Sequence, residues 1–169
     1  MIPTAIRILG IDPGLRHMGW GVVDNLGSRL TYIACGTLHS DTKATTSERL
    51  RQLHEGLQAV IGQYAPHEAA VEETFVNRDP QSALKLGQAR GIAMVVPALS
   101  GLSVAEYAAN TVKKTVVGAG HADKNQVAMM VKVLLPKCEA KTADAFDALA
   151  VAITHAQHRG IRALQERVA

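Results

Sequence analysis

The stretch KTADAFDALAVAI at residues 141–153 decides how this chain folds. From Ala143 to Ile153 it is apolar on nearly every side at the helical period, and a helix that is hydrophobic all round belongs in a protein interior. Two residues break the pattern. Asp144 and Asp147 stand at i and i+3, so both carboxylates share one face. Burying an ionised carboxylate is costly unless it is paired or bound to a cation, and no Lys or Arg lies between Thr142 and Ile153. The plainer alternative is that both acids complement the helix dipole from its first turn. That suits Asp147 poorly, because it lies a full turn further in. A cation site accounts for both.

Upstream of this helix, residues 5–11 (AIRILGI) form a short β-rich run that stops at Asp12-Pro13-Gly14. Pro13 removes a backbone donor and Gly14 favours a turn, so Asp12 falls at the C-terminal tip of a buried, central strand. Residues 17–24 and 29–38 read as two further strands, with Asn25-Leu26-Gly27 as the hairpin between them. The simplest arrangement is three successive antiparallel strands. At 45–64 the period changes: Leu50, Leu53, Leu57, Val60 and Ile61 mark an amphipathic helix, with Ser47 as N-cap and Pro66 beyond its end. The run at 68–72 then reads as a strand reached by a right-handed parallel crossover. Its tip carries Glu72 and Glu73 on the same sheet edge as Asp12.

A loop at 74–80 carries Phe75 and Arg78. The spacing of Leu84, Leu86, Ala89, Ile92 and Val95 predicts a helix over 81–96, weakened by Gly87 and Gly91. Those small residues would allow a second helix to approach closely. A fifth strand is expected at 102–107, a segment at 110–117 whose pattern leaves a short helix open, and a helix from Asp123 through Leu135. Beyond Gly160 the charged sequence predicts a frayed tail over 161–169. His155 and His158 share a helical face and read as surface residues.

With 169 residues, 47% hydrophobic and 20% charged, the chain suits one globular domain over residues 1–160 with a full core. The net charge of +3 permits a polyanionic partner without demanding one. No apolar run approaches the length of a membrane span, and the first residues lack the apolar core of a secretory signal. Cys35 and Cys138 have neither the number nor the spacing of a disulfide framework or zinc site. A cytoplasmic protein with reduced thiols is expected.

The element order is β-β-β-α-β-α-β-α, an α/β fold with acids on two strand tips and one late helix. In such sheets ligands bind off the carboxyl ends of the strands. Asp12, one of Glu72 and Glu73, and the Asp144/Asp147 pair therefore converge. Hard oxygen ligands in this number suit Mg²⁺ or Mn²⁺. Two such ions about 3.5–4 Å apart can hold the attacking and leaving oxygens of a phosphoryl displacement. Strand alternation alone does not choose between Glu72 and Glu73, because a strand buried on both faces lacks it.

Five segments carry a resemblance: ILGIDPG at 8–14, AVE at 70–72, SALKLGQARG at 82–91, KKTVVG at 113–118 and ADAFDALA at 143–150. In order and spacing, from about Ile6 to His158, the chain resembles the RuvC family of Holliday-junction resolvases. The resemblance implies a ribonuclease H-like fold with a five-stranded mixed sheet, a homodimer, and a Mg²⁺-dependent endonuclease that nicks opposed strands of a four-way DNA junction. By motif position it implies Asp12, Glu72, Asp144 and Asp147 as catalytic, metal-binding acids for two Mg²⁺ ions, with Mn²⁺ able to substitute. Some family members carry His at the last acid. Phe75 falls where the family's loop offers an aromatic residue to junction bases, with Arg78 beside it. Lys113 and Lys124 match basic positions that face DNA, and Lys114 adjoins them. A branch-migration motor is the further partner implied. The rivals are a ribonuclease H-like nuclease acting on RNA and a non-cleaving junction binder. A pure binder gains nothing from four acids facing phosphates.

Overall fold

The computed structural model describes residues 4–73 and 79–168. Strands β1 (Ile6–Asp12), β2 (His17–Leu26) and β3 (Arg29–His39) form an antiparallel meander. Helix α1 (Thr46–Tyr64) crosses over to β4 (Glu68–Glu73), which lies parallel to β1. Helix α2 (Pro80–Leu99) leads to β5 (Ser103–Ala108), parallel to β4. Helices α3 (Ala109–Val117), α4 (Lys124–Leu134) and α5 (Ala143–Val168) complete the chain. The sheet order is β3-β2-β1-β4-β5. β1 is therefore central, and Asp12 stands at its C-terminal tip as expected. The segment at 110–117 resolves as a helix.

Two cores sandwich the sheet. On one face Leu53, Leu57 and Val60 of α1 and Ala89, Ala93 and Val96 of α2 pack with Leu9, Ile11, Val22, Ala69 and Val71. On the other, Val112 and Val116 of α3, Val127 and Val131 of α4 and residues 149–153 of α5 pack with Ile8, Val23 and Ala70. Successive strand residues alternate between these cores. Ala70 faces α5 whereas Ala69 and Val71 face away, so the pleat turns Glu72 toward α5 and Glu73 to the opposite face.

Three glycines set how deeply α5 sits. A Cβ at Gly10 would lie 2.1 Å from the Ala148 carbonyl oxygen, and one at Gly19 only 2.0 Å from that of Asp144. At Gly21 it would meet the Leu149 side chain at 2.7 Å. Backbone thus meets backbone, and an all-round apolar helix lies flush on β1 and β2. Ala145, Ala148, Ala150 and Ala152 are all essentially buried.

Several local expectations are corrected. The hairpin is tighter than the one expected over residues 25–27: Leu26 pairs with Arg29, and Gly27 takes a positive φ of 61° in the two-residue turn. The N-cap of α1 is Thr45, whose side chain accepts from the Glu48 amide; Ser47 instead meets the Thr45 hydroxyl. Helix α2 starts earlier, capped by Asp79 with Pro80 in its first turn, and runs through Pro97. Its buried residues are Ala89, Ala93, Val96 and Pro97, while Leu84 and Val95 point outward at 65% and 42% exposure. Helix α5 continues past Gly160 through Val168, where a frayed tail is expected; one glycine lowers helix stability by about 1 kcal/mol without forcing a break. His155 is buried, not on the surface. Its Nε2 lies 2.8 Å from Glu68, its Nδ1 lies 2.9 Å from the Tyr107 hydroxyl, and Arg159 donates to the same Glu68 carboxylate.

Candidate active site

Asp12 and Glu72 end neighbouring parallel strands. The register pairs Gly10 with Ala70 and Ile11 with Val71, so the next step sets the two acids side by side. Helix α5 lies across this edge and brings Asp147 to it. Asp12, Glu72 and Asp147 line one cavity of about 250 Å³ together with Lys113, Lys124, Ala109, Val112, Val127 and Ala150. Asp144 stays outside that lining, one turn earlier on α5. Its charge still acts on both Asp12 and Asp147.

The acids are in electrostatic conflict. Burial above all, then the charges of Glu72 and Asp147, pushes the Asp12 carboxyl well above the usual range. Glu72 is also raised, chiefly by burial, although a hydrogen bond shared with Asp12 and the charges of Lys113 and Lys124 oppose the rise. Asp147 is raised by burial and by Asp144, against the pull of Lys124. Protonation of either Asp12 or Glu72 would relieve part of the repulsion. The Lys124 ammonium lies 3.7 Å from Asp147 and is 77% exposed, so this pair contributes no more than about 1 kcal/mol.

Desolvated carboxylates that hold protons against their ordinary tendency are the donor set a hard divalent cation satisfies. Among the described residues, no group of three or more His, Cys, Asp or Glu side chains is drawn together tightly enough to hold an ion as it stands. A bound cation would offset the mutual repulsion of the acids.

Lys113 projects from α3, whose buried residues Val112 and Val116 fix the helix against the core. Lys124 is the first residue of α4, behind a capping box in which Asp123 and Gln126 each bond the other's backbone N–H. Both ammonium groups therefore belong to elements held from below. Lys114 is exposed and does not line the cavity. Phe75 and Arg78 lie outside the described residues. Gly10 and Gly19, which seat the acid-bearing helix, are further positions on which the site depends. Their signal was glycine inside a strand, a mark of close backbone approach.

Comparison with known proteins follows the same lines. Residues 8–155 match the family model for the crossover junction endodeoxyribonuclease RuvC. The chain belongs to the RuvC family. It is 71% identical over 159 residues to the crossover junction endodeoxyribonuclease RuvC of Beijerinckia indica, covering 94% of this chain and 91% of that one. To the Methylocella silvestris protein of the same description it is 70% identical over 165 residues, covering 98% and 94%. Among solved structures, Thermus thermophilus RuvC in complex with Holliday junction substrate superposes with a TM-score of 0.86 at 33% identity, covering 93% of this chain and 96% of that chain. The fold is accordingly ribonuclease H-like, as the resemblance implied.

Proposed function

We infer that this chain is a divalent-metal-dependent endonuclease that resolves four-way DNA junctions by paired symmetric nicks, in homologous recombination and DNA repair. The observation that carries the reading is one cavity holding Asp12, Glu72 and Asp147 beside Lys113 and Lys124, in a member of the RuvC family. Acids and lysines lining one cavity suit a phosphodiester whose charge must be neutralised while one of its bonds is exchanged.

Asp12, Glu72, Asp144 and Asp147 would hold two Mg²⁺ ions, with Mn²⁺ able to replace them. Such ions supply Lewis-acid polarisation of the phosphoryl group and an activated water. The chain's own residues do the rest. Lys113 and Lys124 bind phosphate oxygens and position the strand without reading its sequence. Val112, Val127, Ala109 and Ala150 form apolar walls that limit bulk water. Asp12 and Glu72 would hold the ions as deprotonated carboxylates. Phe75 and Arg78 are proposed DNA contacts, Phe75 stacking on a base opened at the junction centre. Lys114, exposed on α3, is proposed as an outer phosphate contact.

A homodimer would place two such sites for symmetric cuts. The α2 face supports it: Leu84 and Leu99 are 65% and 76% exposed, and added Cβ atoms at Gly87 or Gly91 meet nothing within 4 Å. A branch-migration motor as partner and a cytoplasmic location are proposed on the family resemblance. Among the described residues no helix is long and apolar enough to cross a membrane.

The deciding experiment incubates the protein with a synthetic four-way junction, a matched duplex and an RNA–DNA hybrid, with and without Mg²⁺. Paired nicks confined to the junction, and dependent on the ion, are expected. Asp12→Asn, Glu72→Gln and Asp144→Asn should each bind the junction and fail to cut it. Preferential cutting of the hybrid would overturn the reading in favour of an RNA-directed nuclease.

A further inference from the structure

A second group of metal-ligating side chains lies on the same sheet edge, outside the acid cluster. His17 opens β2 and His39 closes β3, and the register pairs them directly across the two strands. Their Nδ1 atoms are 2.9 Å apart, and the rings meet edge to face with centroids 4.9 Å apart. Both side chains are exposed. The backbone therefore fixes the bases of both rings, and little rotamer freedom is lost by holding them together.

That nitrogen spacing is selective. An ion about 2.0–2.1 Å from each of two nitrogens 2.9 Å apart subtends an angle of about 90°. Right angles between adjacent ligands belong to square-planar, tetragonal or octahedral ions, not to tetrahedral zinc. Imidazole also suits Cu²⁺ and Ni²⁺ far better than Mg²⁺, which takes oxygen ligands. We propose that His17 and His39 form a two-histidine site for a divalent transition ion of tetragonal preference, Cu²⁺ or Ni²⁺, separate from the carboxylate cluster.

The chemistry balances without an added reagent. In the free pair one ring donates its Nδ1 proton to the other. Binding moves that proton to Nε2 of the same ring, so both Nδ1 lone pairs face the ion and no net proton is released. Water completes the coordination. His39 borders a cavity of about 330 Å³ that reaches Thr37, Thr142, Glu139 and Lys141, which leaves room for those waters.

The position gives the ion a consequence. Asp12 pairs with Gly19, and Gly19 with Thr37, in one row across the sheet. His17 and His39 form the next row outward on the same face, two residues further along. Two residues at about 3.4 Å each, and one strand at about 4.8 Å, put His17 about 8 Å from Asp12. Both sites can fill together, and the second adds positive charge beside the first.

The test is titration of the full chain with Cu²⁺, read by electron paramagnetic resonance, and with Ni²⁺ by calorimetry, in saturating Mg²⁺ so that the acids are occupied. One tightly bound Cu²⁺ or Ni²⁺ per chain is expected, with nitrogen hyperfine structure from two imidazoles. His17→Ala and His39→Ala should each lose it while melting as the parent does, since both residues are exposed. Weaker binding of Zn²⁺ than of Ni²⁺ should accompany it. Absence of a stoichiometric site, or its persistence in either variant, overturns the proposal. Neither result bears on junction cleavage, which is assayed separately with Mg²⁺ alone.

Discussion

Gly19→Ala is the most direct probe of how the acids are positioned. The added methyl would stand 2.0 Å from the Asp144 carbonyl oxygen, against a practical floor of 3.0 Å, and the neighbouring contacts are also backbone atoms. No side chain can swing aside. The first turn of α5 must retreat from β2 by about 1 Å to reach that floor. Overpacking of this kind costs about 1–3 kcal/mol, or several degrees of melting temperature in a chain of this size. The larger effect is on chemistry, because a 1 Å misplacement of a reacting group can cost about 10²-fold in rate. Single-turnover cleavage of a junction, with Mg²⁺ saturating and well below the melting transition, should fall by that order while junction affinity holds. Gly27→Ala is the control: its positive φ makes alanine cost about 1–2 kcal/mol, yet it sits in a distant hairpin and should cut normally. Parental cleavage by Gly19→Ala, with parental melting, would refute backbone contact as what positions Asp144.

Asp12→Asn should raise the melting temperature in EDTA at pH 8 while abolishing cleavage. Burial and neighbouring charge raise the folded Asp12 pKa, so its stabilising contribution is complete at low pH and is lost as pH climbs above the ordinary carboxylate range. Melting curves from pH 4 to 8 should show the parent falling relative to the variant, and Mg²⁺ should stabilise the parent more. Lys124→Ala should lower the slope of log affinity against log salt by about 0.9, one phosphate contact for double-stranded DNA, and shift stability by less than about 0.5 kcal/mol; a salt titration of junction binding reads both affinity and slope. Glu68→Gln removes the carboxylate charge shared by His155 and Arg159 and turns one of its two acceptor oxygens into an NH2 donor, and should cost about 1–3 kcal/mol in denaturant melts. Glu68 lies at the opposite end of β4 from Glu72, so cleavage below the transition should not change. Gly87→Leu should shift sedimentation toward monomer and uncouple the paired nicks; a persistent dimer would move the interface elsewhere.

Much of the architecture was legible because its signals are local. The Asp12-Pro13-Gly14 stop, the change from β-rich runs to helical period at Leu50, and the apolar helix carrying Asp144 each follow from backbone chemistry. Harder to read were features set by what lies across a contact. Periodicity identified an apolar α2 but could not say which apolar stripe meets its own sheet; Ala89 and Ala93 do so, while Leu84 and Val95 face outward. His155 looked like a surface residue because its partners, Glu68 and Tyr107, are distant in sequence. Glycines 10 and 19 carry no sign in the sequence of what they face, yet they are where α5 touches the sheet. Strand pattern alone left Glu72 and Glu73 open, because a strand buried on both faces hides its pleat; motif position implied Glu72, and the pleat turns it toward α5.

The start of α4 has a consequence for recognition. Lys124 stands in the first turn of its helix, where exposed backbone N–H groups already carry positive potential. A cation there works against the helix that presents it, and the exposed pairing with Asp147 only partly compensates. The free protein thus carries a small local frustration, which an incoming phosphate would remove by answering ammonium and helix terminus at once. Docking of the strand and consolidation of that turn then become one event, so amide hydrogen exchange at Asn125 and Gln126 would slow when junction DNA is added.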